Sequence, residues 1–302
     1  MMQLLVVSDG KPGHVNQSLA FAALKELVPQ QLEVRFRNRF CRFLSYLFDR
    51  CRFYPDFLLV PFVLPAGSFA AVVCAGSETY YAARFLARRL SVPVVAVMLP
   101  SGYRFDGFDL ILAQEHDHPP ERNNILPLPI NLCHVQPRGV FSPQPNRRYV
   151  GVVLGGPNKV FGMDVASLQL QLEQLFKHYA GFDILVCTSR RTPAAIEQLL
   201  AGFPFAVRFL YSQSPANPIP DFLSHCEQVF ISSDSTSMIS EAVSYGTAAV
   251  EVLPLPRRRQ GGKFDLLVQA LAVRGCLHIF DGSVADCRQK IDLSAMLKGV
   301  LK

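Results

Sequence analysis

Two stretches carry residues whose types and spacing could do chemistry. In residues 229–246, V-F-I-S-S-D-S-T-S-M-I-S-E-A-V-S-Y-G, an apolar β-branched run reads as a buried strand, after which Asp234, Ser235 and Thr236 offer side-chain oxygens to cap a helix. The first turn of such a helix leaves backbone N–H groups without partners and carries partial positive charge, which suits a phosphate or diphosphate. Glu241, about one and a half turns further on, is placed to accept hydrogen bonds from the hydroxyls of a ribose attached to that diphosphate. The alternative is an ordinary capped helix with a solvated glutamate. In residues 8–14, S-D-G-K-P-G-H, Gly10, Lys11, Pro12 and Gly13 form a tight loop between a strand and a helix, and His14 stands at its mouth. An imidazole with an ordinary pKa of about 6.5 can accept a proton near neutrality, so His14 is a candidate general base, with a structural role as the alternative. The loop fits neither the dinucleotide fingerprint nor the P-loop pattern.

Basic residues gather after other strand-like runs. Gly155-Gly156-Pro157-Asn158-Lys159 follows one, Ser189-Arg190-Arg191 another, and Arg257, Arg258, Arg259 and Lys263 share a loop with Gly261 and Gly262. Placed beyond the carboxyl end of a sheet, such cations would pair with a diphosphate, the alternative being surface salt bridges. A separate run alternates Arg35, Arg37, Arg39, Arg42, Arg50 and Arg52 with Phe36, Phe40, Phe43, Tyr46, Phe48 and Phe53. Basic heads on apolar bodies suit an anionic membrane surface or a lipid-linked substrate, or else describe a core helix whose arginines reach out to water. No nucleic-acid-binding module surrounds the run. His116-Asp117-His118 has metal-ligand spacing, but without a second ligand cluster and running into Pro119-Pro120 it reads as a polar loop, and no metal site is expected.

These residues need a scaffold. With 302 residues, half of them hydrophobic, the chain can bury a sizeable core and suggests about two domains. Strand-like runs at 4–7, 70–74, 94–98 and 109–113 alternate with helical patterns at 15–27 and 77–90. A proline-rich stretch at 127–145 reads as a linker, and the rhythm resumes with strands at 149–154, 184–187, 205–210, 229–233, 248–253 and 277–280. Such alternation predicts an α/β protein with parallel sheets. We expect domains at 1–140 and 146–302, with the final amphipathic segment able to pack back on the first. No apolar run is long enough to cross a bilayer, no signal-peptide pattern opens the chain, and the eight cysteines lack any C-x-x-C pair. Together these point to a cytoplasmic protein with reduced thiols.

The segments S-D-G-K-P-G-H at 8–14, E-H-D at 115–117, L-G-G-P-N-K at 154–159, T-S-R-R-T-P at 188–193, N-P at 217–218, D-S-T-S-M-I-S-E-A at 234–242 and K-F at 263–264 run in order along nearly the whole chain. They resemble the mitochondrial-fission (elongated-mitochondria) family, whose bacterial members are regarded as glycosyltransferases. The chain departs from the family pattern after Lys159, where Val160-Phe161-Gly162-Met163 replaces a His-aromatic-Arg-aromatic run. The motif pattern is also similar to GT-B glycosyltransferases, which implies two Rossmann-like domains facing a cleft, an acceptor-side first domain and a second that holds the nucleotide-sugar. On that resemblance Ser235, Thr236 and Ser237 would touch the diphosphate and Glu241 the ribose. Gly10, Lys11, Gly13, Gly155, Gly156, Lys159, Ser189, Arg190, Asp234 and Lys263 would complete the substrate-binding set. The expected chemistry is metal-independent sugar transfer with His14 as base, no cofactor beyond the donor, and a cell-envelope or lipid-linked glycan as acceptor. The expected place is the cytoplasm, peripherally at the inner face of the membrane. Plant relatives are described as adaptors that recruit a dynamin-like protein, so a non-catalytic adaptor is one alternative. A nucleotide-sugar epimerase is the other.

Overall fold

The computed structural model describes residues 2–259 and 262–301. It divides into two compact units, Met1–His134 with Leu293–Lys302, and Val135–Asp292. The tail thus groups with the first unit, where the Lys25 ammonium donates to the Leu297 carbonyl beside the short helix that ends the chain.

In the first unit the order is β1 (Gln3–Ser8), α1 (Pro12–Leu24), β2 (Val28–Glu33), α2 (Arg39–Arg50), β3 (Phe69–Ala75), α3 (Tyr80–Leu90), β4 (Val94–Val97), β5 (Leu110–Gln114) and β6 (Ile125–Leu128). The strands form one parallel sheet ordered β2-β1-β3-β4-β5-β6. Its middle strands are apolar on both faces because helices cover both, so β1 and β3 read as continuous buried runs. The two edge strands were not expected from sequence. β2 carries Pro29 and two glutamines and β6 carries Pro127; an edge tolerates residues that lack a ladder donor. Helix α1 opens at Pro12 rather than Val15, with the proline in its first turn, so Gly13 and His14 are helical. Helix α3 starts at Tyr80 rather than Ser77 because the Thr79 hydroxyl holds the carbonyls of Ala75 and Gly76 in a turn.

The second unit runs β7 (Tyr149–Leu154), α4 (Val165–His178), β8 (Asp183–Thr188), α5 (Ala194–Ala201), β9 (Val207–Phe209), α6 (Ile219–His225), β10 (Gln228–Ser232), α7 (Thr236–Ser244), β11 (Ala249–Leu253), α8 (Lys263–Val273) and β12 (His278–Ile279), and α9 (Leu293–Met296) is the closing helix of the first unit. Its parallel sheet is ordered β12-β11-β10-β7-β8-β9. Read from β9, this is the doubly wound order third-second-first-fourth-fifth-sixth, which reverses between β7 and β10; in the first unit the reversal lies between β1 and β3. Loops that diverge at such a reversal leave a crevice at the carboxyl ends of the strands, where open α/β sheets take their ligands.

Part of the expected linker is pinned. The buried Asp221 carboxylate on α6 accepts the amides of Arg138, Gly139, Val140 and Phe141 at 2.7–3.2 Å. Burial works to raise this carboxyl, but the four amides hold it below the ordinary aspartate range. A depressed folded pKa contributes stability that is present above the unfolded value of 3.8 and lost as the pH falls through the folded one. Asp221→Ala should therefore cost about 3 kcal/mol at pH 7 in urea unfolding, with the gap to the parent narrowing below pH 4.

Candidate functional site

At the strand-order reversal of the first unit, β1 delivers Asp9 and Gly10, and the first turn of α1 delivers Gly13 and His14. The His14 Nδ1 lies 2.9 Å from Asp9 Oδ2 and 3.2 Å from Oδ1. The Lys11 ammonium, itself exposed, donates to Asp9 Oδ2 at 3.0 Å, and the Lys11 amide to Oδ1 at 3.2 Å. Burial works to raise the Asp9 carboxyl, but the hydrogen bonds from Lys11 and His14 outweigh it and leave it below its ordinary value. An ionised carboxylate accepts only, so His14 Nδ1 carries a hydrogen and, in the neutral ring, Nε2 keeps its lone pair. The ring packs on Gly76, just past β3, where a Cβ would come within 2.3 Å of the imidazole Nδ1 and Cε1. Gly76 also has φ +88°, a left-handed conformation that favours glycine. Asp9 and Gly76 were not singled out from sequence. The available signal was an acid five residues before a histidine, across a glycine turn that folds back into a helix.

At the reversal of the second unit the expected helix forms as α7, with Ser235 as its cap, its Oγ accepting from the Met238 amide at 3.3 Å. Thr236 is half-buried and Ser237 exposed. Asp234 is a correction. Its carboxylate is fully buried and turned into the protein, accepting from the Ser232 hydroxyl at 2.6 Å, the Gly156 amide at 3.0 Å and the Arg191 guanidinium at 2.6 Å. Gly155 and Gly156 are corrected with it, because their amides donate to Ser232 Oγ at 2.7 Å and to Asp234, and are closed to a phosphate. A Cβ at Gly155 would meet Asp234 Oδ2 at 2.2 Å and one at Gly156 would meet the Arg191 carbonyl at 2.1 Å, so the glycines admit neighbouring protein. Ser189 is likewise engaged in a turn, its amide donating to Thr192 Oγ1 and its Oγ accepting from the Arg191 amide. Pro193 stands at the cap position of α5.

What remains presented at this sheet edge is Ser235, Thr236 and Ser237, exposed Lys159 and Arg190, and Glu241. Lys263 begins α8 and is exposed; the neighbouring Gln260 and Gly261 of the expected basic loop lie outside the described residues. Glu241 is half-buried and its carboxylate takes no hydrogen bond from any described residue. Burial pushes it up to about 7, against a smaller opposing pull from the Arg138 guanidinium. A carboxyl poised near neutrality without a donor among the described residues makes Glu241 a candidate for the site. Asn158 was quoted in a motif without a role; its side-chain amide donates to the Asp234 carbonyl at 3.0 Å and its Oδ1 accepts from the amides of Val160 and Phe161. His116 and Asp117 form a single helical turn after β5, and among the described residues no group of three His, Cys, Asp or Glu side chains could hold a metal ion.

A profile of the family described as Mitochondrial fission ELM1 matches residues 12–296. A protein of Rickettsia prowazekii (strain Madrid E), RP120, is 26% identical over 144 residues, which are 46% of this chain and 40% of that protein. The chain thus spans about two fifths of the length of the curated relative it matches. A Listeria monocytogenes protein described as a UDP-N-acetylglucosamine 2-epimerase aligns over 89% of this chain and 82% of its own, with a TM-score of 0.52 and 10% identity, and shares the fold. Acinetobacter baumannii MurG aligns over 94% and 87%, with a TM-score of 0.47 and 13% identity.

Because the folded-state pKa of Glu241 lies above its ordinary 4.5, ionising it opposes folding, and stability falls as the pH rises from 4.5 through about 7. Glu241→Gln should accordingly be more stable than the parent at pH 8 by about 1–3 kcal/mol, and the difference should close below pH 4.5 in parallel urea titrations.

Proposed function

The chain belongs to the mitochondrial fission ELM1 family, and on that footing we propose that it is a metal-independent GT-B glycosyltransferase. It would move a sugar from a nucleotide-sugar to a lipid-linked or cell-envelope glycan acceptor, working in the cytoplasm at a peripheral contact with the membrane. One observation carries this: each sheet places groups able to do chemistry at its strand-order reversal, an oriented imidazole in one and, in the other, a Ser-capped helix start followed by a half-buried carboxylate that takes no hydrogen bond from any described residue.

His14 Nε2 takes the proton of an acceptor hydroxyl while that oxygen bonds to the anomeric carbon of the donor. The bond from the anomeric carbon to the diphosphate oxygen breaks, and its electron pair leaves with the nucleoside diphosphate. Attack opposite the leaving group inverts the anomeric centre. Asp9 fixes the tautomer of His14 and stabilises the imidazolium that forms. The first turn of α7, with Lys159, Arg190 and Lys263, faces the charge that develops on the diphosphate, and Glu241 accepts from the ribose hydroxyls. The fold shared with the Listeria protein favours one second reading, a nucleotide-sugar epimerase, which would turn over its nucleotide-sugar with no acceptor present. An adaptor without chemistry would bind no nucleotide at all.

A thermal-shift screen with UDP, GDP, CMP and their sugars should find a nucleoside diphosphate that raises the melting temperature. Its affinity should strengthen as the pH rises through about 7, where Glu241 ionises, and Glu241→Gln should flatten that dependence. With donor and acceptor in hand, His14→Ala should lower kcat by about a hundredfold or more while leaving the nucleotide-induced shift unchanged. A flat screen would remove the donor assignment, and full activity in His14→Ala would remove the base.

A further inference from the structure

Helix α2 is anchored along one face and bare along the other. On the anchored side Ser45 and Asp49 are buried; Ser45 Oγ meets the Tyr103 hydroxyl at 2.8 Å, and Asp49 accepts from the Tyr54 hydroxyl at 2.7 Å and the Arg104 amide at 2.9 Å, besides its ion pair with Arg84. The bare face exposes Phe40 (67%), Phe43 (68%) and Leu47 (51%). At about 100° per residue these three share an arc of roughly 100° with Arg39 and Arg50, the arginines lining one margin. Half-buried Phe48 extends the apolar surface to exposed Phe53 and Phe57, whose rings lie 5.6 and 6.1 Å from its own.

Charge separates the possible occupants. Arg35 pairs with Glu33, Arg42 with Glu78 and Arg52 with Asp106, whereas Arg39 and Arg50 have no carboxylate partner among the described residues. Asp56 is the exposed acid next to Phe57. A second copy docked two-fold on this face would bring the Arg39 and Arg50 of each chain towards those of the other, with little acid to answer them. An anionic bilayer answers both features, since aromatic and aliphatic bodies enter the headgroup region while guanidiniums at the margin meet lipid phosphates.

We propose that the bare face of α2, continued through Phe53 and Phe57, is a docking surface for an anionic lipid bilayer. It rests on the peripheral membrane contact proposed above and names its surface, and it does not depend on the sugar-transfer chemistry. A different flank of the same helix reaches the loop that seats His14, where Arg42 donates to Ser77 Oγ at 3.0 Å, one residue past Gly76.

The test is co-sedimentation of the full chain with vesicles of phosphatidylcholine alone and of phosphatidylcholine mixed with phosphatidylglycerol. The protein should pellet only with the anionic vesicles, and salt should release it. Arg39→Gln with Arg50→Gln should lower the partition coefficient roughly thirtyfold, about 1 kcal/mol per arginine near the surface. Phe43→Ser with Leu47→Ser should lower it at least about tenfold, with an unchanged melting temperature showing that the fold is intact. Absence of binding to anionic vesicles, or binding that neither pair of substitutions weakens, would overturn the docking surface. A concentration-dependent dimer abolished by Phe43→Ser would overturn it too, assigning the face to a second copy. Because vesicle binding requires no turnover, its failure is distinguishable from failure of the transferase reading.

Discussion

The second unit depends on one buried carboxylate. Asp234 ends the β10 turn with its side chain fully out of water, a position that an aspartate holds only when its oxygens are supplied with donors. Ser232 supplies one from the end of β10, and Gly156 and Arg191 supply the others from the loops after β7 and β8. One side chain thereby fixes the mutual positions of the loops that diverge at the strand-order reversal, and with them the direction in which α7 leaves the sheet. The same constraint forbids side chains at 155 and 156, whose Cβ atoms would overlap Asp234 and Arg191. Turned inward, the carboxylate braces the backbone from which α7 starts.

The first unit repeats the device with a different outcome. Asp9 also follows a strand at a reversal and is also nearly buried, but its donors are Lys11 and an imidazole. The carboxylate in the second unit stiffens a backbone, whereas this one orients a titratable ring. Gly76 completes it by leaving room for the ring where any side chain would displace it. In both units an acid that looks from sequence like a ligand contact or a loop residue acts through its neighbours.

Legibility followed burial and locality. The strands at the sheet centres were readable because residues buried on both faces must be apolar without interruption, as in 4–7, 70–74 and 229–233. The start of α7 was readable because a cap is a local interaction: Ser235 accepts from an amide three residues ahead. Edge strands β2 and β6 were hidden because an edge relaxes the rule that identifies a strand. The roles of Gly155, Gly156, Asp234 and Asn158 were hidden because their partners lie far along the chain, 76–78 residues away in the bonds that join them. A glycine that makes room for protein and one that makes room for a ligand are the same letter.

The basic loop after β11 shows how the distant pairing redistributes charge. The departure from the family pattern at 160–163 pairs with this loop: Phe161 bridges Arg257 in antiparallel fashion, the Gly162 amide donates to the Pro256 carbonyl at 2.7 Å, and the Arg258 amide to Val160 at 2.8 Å. Phe161 packs edge-on against Phe264 and beneath the Arg257 guanidinium, which is also paired with Asp265. The Arg258 guanidinium turns back to the Asn158 carbonyl. Two of the arginines that composition offers to a diphosphate therefore brace the loop that carries Lys159. Guanidiniums already satisfied by a carboxylate or a carbonyl stabilise a new anion weakly, since the existing partner must be given up or shared. The cations of these loops without such partners among the described residues are Lys159 and Arg190, and the bracing fixes the loop on which Lys159 stands.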